Sequence, residues 1–410
     1  MHFDFNFYSA ILLIFFIHGL VYAALLFRKS KQQAASTDKW LAIFLLLCTS
    51  YISPWMLGFA GWYDTQPYRD VLFYLPLQQL YFIGPVLFFY VQQLLNPSFQ
   101  FGKKEWLHLI PGIAYLLYNI VIVVTDKLVL HQYYFLADGT DREFDTWYQA
   151  TGFISMLVYL ILSYRYYNLY KRLMVQVISF ADSVLFRWIQ HFFIAFLAML
   201  AINCFFYIMG LLYKPANMYV SSWWYFFCFS IIYYYIAIFG YANSVIANVP
   251  FKLNLLNQHQ AFLLPSASPI QSSNASQKIE DSYIEIITDE VYAPTESATN
   301  DAWKNKILSA IEQQQLYTDP ELSLMQLSKI LQSNPSVISK AINQGFQLNF
   351  NDFINSYRVK AVQASILAGE HKSQTLLGIA YNCGFNSKAT FNRAFKKSTG
   401  FSPKDFVAQQ

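Results

Sequence analysis

The sequence predicts an all-α protein in two parts: a polytopic seven-helix transmembrane bundle, then a cytoplasmic helical domain with two helix-turn-helix units. Three observations carry this expectation. Of 410 residues, 55% are hydrophobic and only 13% charged, where an ordinary soluble domain carries roughly 25% charge. The apolar residues gather into seven long runs before residue 241. After residue 301 those runs stop, and short amphipathic segments alternate with cap and turn residues.

A transmembrane helix needs about 20 mostly apolar residues to cross about 30 Å of hydrocarbon. The runs 6–27, 40–60, 71–95, 106–125, 148–167, 188–212 and 221–241 meet that length. The first lacks the basic start and small-residue cleavage site of a secretory signal, so it reads as a retained span. An odd number of spans puts the termini on opposite sides, and Lys and Arg in short loops mark the cytoplasmic face. One set of loops holds ten: Arg28, Lys29, Lys31, Lys39, Lys103, Lys104, Arg165, Lys171, Arg172 and Arg187. The other set holds four, Arg69, Lys127, Arg142 and Lys214. The N-terminus is therefore expected outside and everything after Tyr241 in the cytoplasm.

Trp62-Tyr63 and Trp223-Trp224 sit near span ends, where amphipathic rings favour the headgroup zone. Inside the runs lie Pro54, Pro76, Pro85 and Pro111 with the polar His18, Gln78, Gln79, Asn119 and Asn203. Polar side chains in spans more often act as interhelical packing bonds than as a ligand pocket. Charged residues are nearly absent from the span centres, which argues against a pump or ion pathway. Cys48, Cys204, Cys228 and Cys383 form no close pair, so neither a disulfide framework nor a zinc site is expected.

Residues 242–300 read as a flexible linker. The stretches PSASPIQSSNASQ and APTESATND are too poor in apolar residues to offset the entropy of ordering. Between them KIEDSYIEIITDEVY alternates apolar and polar residues, the pattern of a short strand or of a segment that pairs with a partner. A flexible tether of about sixty residues transmits little torque, so proximity is the coupling expected across it.

In residues 301–410, Trp303, Ile307, Leu308 and Ile311 share a helical stripe. Ser323 with Gln326 three residues on makes a capping box, and Asn334-Pro335 makes a cap followed by a first-turn proline. The helix after Pro335 buries Ile338 and Ile342 and exposes Ser336, Ser339, Lys340 and Asn343. NFNDFINSYRVKAVQASIL then forms a long amphipathic helix, TLLGIAYNC a short one, and Gly384-Phe385 a turn into SKATFNRAFKKSTG. On that last helix Phe391 and Phe395 face inward. The long helix spans about 28 Å at 1.5 Å per residue, close to one DNA turn of about 34 Å.

The segment IAYNCGFNSKATFNRAFKKSTGFSPKDF resembles the DNA-binding domain of AraC/XylS-type transcription regulators in its I-A-x-x-x-G-F, F-x-R-x-F-K-K and S-P-x-x-F spacing. The resemblance covers about Asp301 to Phe406, a quarter of the chain, and LSLMQLSKILQSNPSVISKAI fits the first unit more loosely. Two departures stand out: Gly378 replaces an acidic residue common early in its helix, and Gln347 stands where a turn glycine is frequent. The seven-span layout also resembles membrane-bound regulators of this family, without a motif as specific.

The resemblance implies base contacts from Ser336, Ser339 and Lys340 on one recognition helix and from Lys388, Thr390, Asn392 and Arg393 on the other. Lys and Arg match guanine, Asn matches adenine, and Ser and Thr are permissive. Lys396, Lys397 and Lys404 are expected on phosphates, which position without specifying. The expected partners are double-stranded DNA, the lipid bilayer, an unidentified small-molecule or lipid signal, and a second copy of the chain in a homodimer. No cofactor or metal is called for. The expected location is the bacterial inner membrane, and the expected function is one-component transcription regulation. A receptor or transporter whose tail docks a protein partner is the alternative, disfavoured because such docking needs no particular basic face. Nothing points to an enzyme: there are no paired intramembrane carboxylates, no H-E-x-x-H and no phosphate-binding glycine loop.

Overall fold

The computed structural model describes residues 3–33, 36–96, 99–179, 187–212, 219–242, 252–253, 262–263, 283–286 and 297–409. The chain divides into two compact units, Met1–Tyr167 with Arg187–Ala247, and Asn168–Phe186 with Asn248–Gln410.

The first unit is built from α1 (Phe7–Gln33), α2 (Ser36–Phe59), α3 (Tyr68–Tyr74), α4 (Leu80–Leu95), α5 (Trp106–Val123), most of α6 (Thr146–Val177), α7 (Arg187–Leu212) and α8 (Tyr219–Ala242). Among the described residues, five stretches are long and apolar enough to cross a membrane: Phe7–Gln32, Thr37–Phe59, Trp106–Val129, Trp188–Leu212 and Val220–Ala242. Their outward faces carry exposed Leu117, Ile120, Val121, Ile194, Leu197 and Leu211, the kind of apolar surface that marks an interaction site. α2 lies at the centre, packed against α1, α4 and α8, and it buries Leu41, Phe44, Leu45, Cys48 and Ile52 completely.

The third expected run, 71–95, is two helices rather than one. Proline disfavours the helical conformation in the residue before it, and Leu75 is extended, with φ −91° and ψ 112°. The chain leaves the helix there and re-enters it at Leu80, so α4 has 16 residues. The fifth run is longer than expected: α6 continues ten residues past 167 to Val177. Of the polar residues in the runs, Gln79 and Asn119 bond carbonyls three and four residues back, while Gln78 and Asn203 bond across elements. Gln149 donates to Gln78 at 2.8 Å and Asn203 to the Tyr225 hydroxyl at 2.9 Å.

The described part of the second unit holds three short strands, β1 (Lys252–Leu253), β2 (Phe262–Leu263) and β3 (Tyr283–Ile286), in the order β1-β3-β2. β3 pairs in parallel with β1 and antiparallel with β2. Its position agrees with the alternation read in KIEDSYIEIITDEVY; most of the expected flexible linker 242–300 lies outside the described residues. Seven helices follow: α9 (Ser297–Gln313), α10 (Leu324–Ile330), α11 (Pro335–Phe346), α12 (Phe350–Leu367), α13 (Leu376–Asn382), α14 (Lys388–Thr399) and α15 (Pro403–Ala408). Ile307, Ile311, Leu327, Ile338, Ile342 and Phe353 are buried around the first half of this set. Val359, Val362, Ile366, Ile379, Phe385, Phe391 and Phe395 form the core of the second.

Candidate nucleic-acid interface

Each helix of the two helix-turn-helix units starts where a side chain caps it. The Ser323 hydroxyl accepts from the Gln326 amide, and the Gln326 side chain accepts from the Ser323 amide, closing a full capping box on α10. Asn334 accepts from the Ser336 N–H at 2.9 Å, with Pro335 in the first turn of α11. Thr375 caps α13 and Ser387 caps α14. These bonds satisfy helix N–H groups that have no intrahelical partner. They fix the first turn of α11 and α14, the turns expected to meet base edges.

The two unusual residues are accommodated differently. Gln347, which ends α11, takes the left-handed conformation at φ 56°, so a non-glycine residue occupies the turn that glycine usually makes. Gly378 donates its N–H to the Thr375 hydroxyl at 3.0 Å, so the cap stands without an acidic side chain to reciprocate it. In the turn into α14, Gly384 has φ 91°, its N–H bonds the Tyr381 carbonyl, and the Phe385 N–H bonds that of Ala380, both at 3.0 Å.

Ser336 and Lys340 are exposed on α11 and Ser339 is half-buried, while Ile338 and Ile342 are buried behind them. On α14, Lys388, Asn392, Arg393, Lys396 and Lys397 are exposed, as is Lys404 on α15. Partial desolvation lowers the pKa of Arg393, yet a guanidinium stays charged at neutral pH. Thr390, expected among the base contacts, is placed differently from its neighbours. It is 1% exposed, and its hydroxyl lies 2.9 Å from that of Ser387, so it braces the helix cap and offers no edge to a base. Lys397 bonds Asp352 of α12 at 2.7 Å, so any phosphate contact competes with that ion pair.

Sequence reasoning missed Arg358. It lies at 0% exposure on α12, and its guanidinium donates to the carbonyls of Tyr317 at 2.8 Å and Asp319 at 2.6 Å. Desolvation pushes its pKa down to about 10. Its helix neighbours Asn351 and Asn355 are also buried. A polar residue recurring at i, i+4 and i+7 on the inward face of an amphipathic helix was the available signal.

In the first unit, residues of α2, α6, α7 and α8 line a cavity of about 540 Å³, with Trp55, Phe144, Gln149, Asn203, Tyr225 and Phe226 among its walls. Its wall is aromatic with a few amide and hydroxyl groups, the usual makeup of a small-molecule site. Three of its polar groups are already engaged: Gln149 with Gln78, Asn203 with Tyr225, and Tyr225 with Tyr51.

Residues 327–409 match the family described as a helix-turn-helix domain. Two similar proteins are uncharacterised HTH-type transcriptional regulators of Staphylococcus aureus, strains COL and MSSA476. Each is 30% identical over 115 residues, which is 28% of this chain and 15% of the relative. The matched part thus spans about a seventh of the length of those relatives. No solved structure matches the chain. The C-terminal part is thus similar to helix-turn-helix domains.

Proposed function

We propose that this chain is a membrane-bound, sequence-specific DNA-binding transcription regulator of the one-component kind. The observation that carries the reading is the joining, in one polypeptide, of two capped helix-turn-helix units to five helices long and apolar enough to cross a bilayer. The short α4 and the long α6 complete the count of seven spans. The ten-to-four distribution of Lys and Arg supports an external N-terminus and a cytoplasmic DNA-binding domain in a bacterial inner membrane. The domain limits under this proposal are 1–241 for the bundle, 242–300 for the linker and 301–410 for the DNA-binding domain, with α9 beginning slightly earlier at Ser297.

Ser336, Ser339 and Lys340, with Lys388, Asn392 and Arg393, are the proposed base-reading set; Lys396, Lys397 and Lys404 are the phosphate set. The 28 Å expected for the connecting helix suits two insertions on one face of a duplex. The cavity by Trp55 and Gln149 is the proposed seat of the signal, a small uncharged molecule or lipid. A homodimer on paired DNA sites is part of the proposal. Reporter fusions test the topology: a fusion after Gln410 should be active as a cytoplasmic protein and one near Asp141 as an external one. Site selection from random DNA by the full chain in nanodiscs tests the binding. The opposite fusion pattern, or no enriched sequence, refutes the proposal.

A further inference from the structure

α6 is one uninterrupted helix from Thr146 to Val177, and Ile178 and Ser179 follow it directly. Both residues are buried in the second unit, beside the first helix-turn-helix. Ile178 forms an antiparallel bridge with Ser323, the residue that caps α10. The Ser179 N–H donates to the Leu322 carbonyl at 3.2 Å, and its hydroxyl donates to the same carbonyl at 2.7 Å.

From the other side, three polar side chains on one face of α12 converge on the same two residues. Asn351 donates to the Ser179 carbonyl at 2.8 Å and to that of Ile178 at 3.3 Å. Asn355 donates to the Ser179 carbonyl at 3.3 Å. Arg358 reaches that carbonyl at 3.4 Å and the Ser179 hydroxyl at 3.0 Å. Buried amide and guanidinium groups are costly unless hydrogen-bonded. This face of α12 is therefore shaped to receive a backbone segment, and Ile178–Ser179 supplies the acceptors.

We infer that Ile178–Ser179 is a docking strap: it seats in the Asn351–Asn355–Arg358 receptor and on the cap of α10, tying the first helix-turn-helix unit to the end of α6. The inference rests on reading the C-terminal domain as DNA-binding, and it changes how a signal reaches that domain. Proximity through the 242–300 linker is then not needed, because two residues join α6 to the receptor. A shift or rotation of α6 moves the cap of α10 with it. By thermodynamic reciprocity, DNA bound to the helix-turn-helix units must in turn affect the end of α6.

Hydrogen exchange on the full chain in nanodiscs tests the dock. Ser179→Pro removes both the N–H and the hydroxyl. It should speed exchange about tenfold or more at the amides of 322–328 and 351–358, leave those of 388–399 unchanged, and spare Ser179→Thr, which keeps the hydroxyl. Unchanged protection at 351–358 overturns the dock, and so does equal loss across 388–399, which would make the segment part of the domain's own core. Transmission is tested with the selected DNA duplex. Binding it should change exchange at 168–177 about threefold or more in the native chain, and not when Gly-Gly-Ser is inserted between Val177 and Ile178. No change at 168–177 in the native chain overturns the coupling. If no duplex binds at all, the DNA-binding reading fails, while the Ser179→Pro comparison still decides the dock.

Discussion

Gly384→Ala should unfold the second helix-turn-helix unit far more than the small change in side chain implies. Gly384 has φ 91°, where an L residue costs about 1 to 2 kcal/mol. Space adds a larger penalty. A Cβ there would lie 2.3 Å from the Tyr317 carbonyl oxygen and 2.8 Å from both Cα and O of Thr318. All three are backbone atoms, so a segment must move. The Tyr317 carbonyl also accepts from the buried Arg358 Nε at 2.8 Å, and disturbing a bond to a buried charge costs about 1.5 to 3 kcal/mol. The expected total is about 3 to 5 kcal/mol, a large share of the stability of a small domain.

Gly400→Ala is the control. Gly400 has φ 81° and nothing within 4 Å of a built Cβ, so it should lose only the conformational cost, about 1 kcal/mol. The difference of about 2 to 4 kcal/mol isolates the close approach. Hydrogen exchange at the α14 amides of the full chain reads it as about 30- to 1000-fold faster opening in Gly384→Ala than in Gly400→Ala. Equal exchange in the two variants would refute the reasoning, since it would mean that the Tyr317–Thr318 backbone yields at no cost.

Arg393→Ala should weaken binding to the preferred site by about 1 to 3 kcal/mol and relax preference at one base, whereas Lys396→Ala should weaken all sequences alike and flatten the salt dependence by about one counterion; competition binding over a range of salt separates them. Asp352→Asn removes the 2.7 Å pair with Lys397. It should change stability by at most about 0.5 kcal/mol and steepen the salt dependence of DNA binding by up to about one counterion, because Lys397 is released to phosphate. In the loop between α5 and α6, Asp141 and Glu143 are buried. Burial raises Asp141 from 3.8 to about 7 and, with the neighbouring Asp141 charge, raises Glu143 too. Raised folded-state pKa values mean that the loop's stability is full below the unfolded value and is lost as pH rises through about 7. Tryptophan emission reporting on the Trp55–Phe144 contact should therefore change between about pH 6 and 8 and be flattened by Asp141→Asn; a flat native profile would show that burial does not govern this pair.

Much of the molecule was legible because the forces that specify it are local. Five of the seven apolar runs appear as stretches long and apolar enough to cross a bilayer, since hydropathy over about 20 residues is a property of the run itself. The helix starts at Ser323 and Asn334 follow from cap bonds to residues two or three positions away. The inward faces bearing Ile338, Ile342, Phe391 and Phe395 follow from helical spacing.

The tertiary structure decided what depends on groups far apart in the chain. Pro76 marks where the run 71–95 can break, but the point at which the helix resumes, Leu80, is seen only in the structure. Gly384 is a turn residue by sequence, yet its intolerance of a side chain comes from the backbone of Tyr317 and Thr318, well over sixty residues away. Arg358 reads as one more cation on an amphipathic helix. Its partners at Ser179, Tyr317 and Asp319 lie 39 to 179 residues away, and a buried charge declares its role only once the acceptors that desolvation forces it to find are in place.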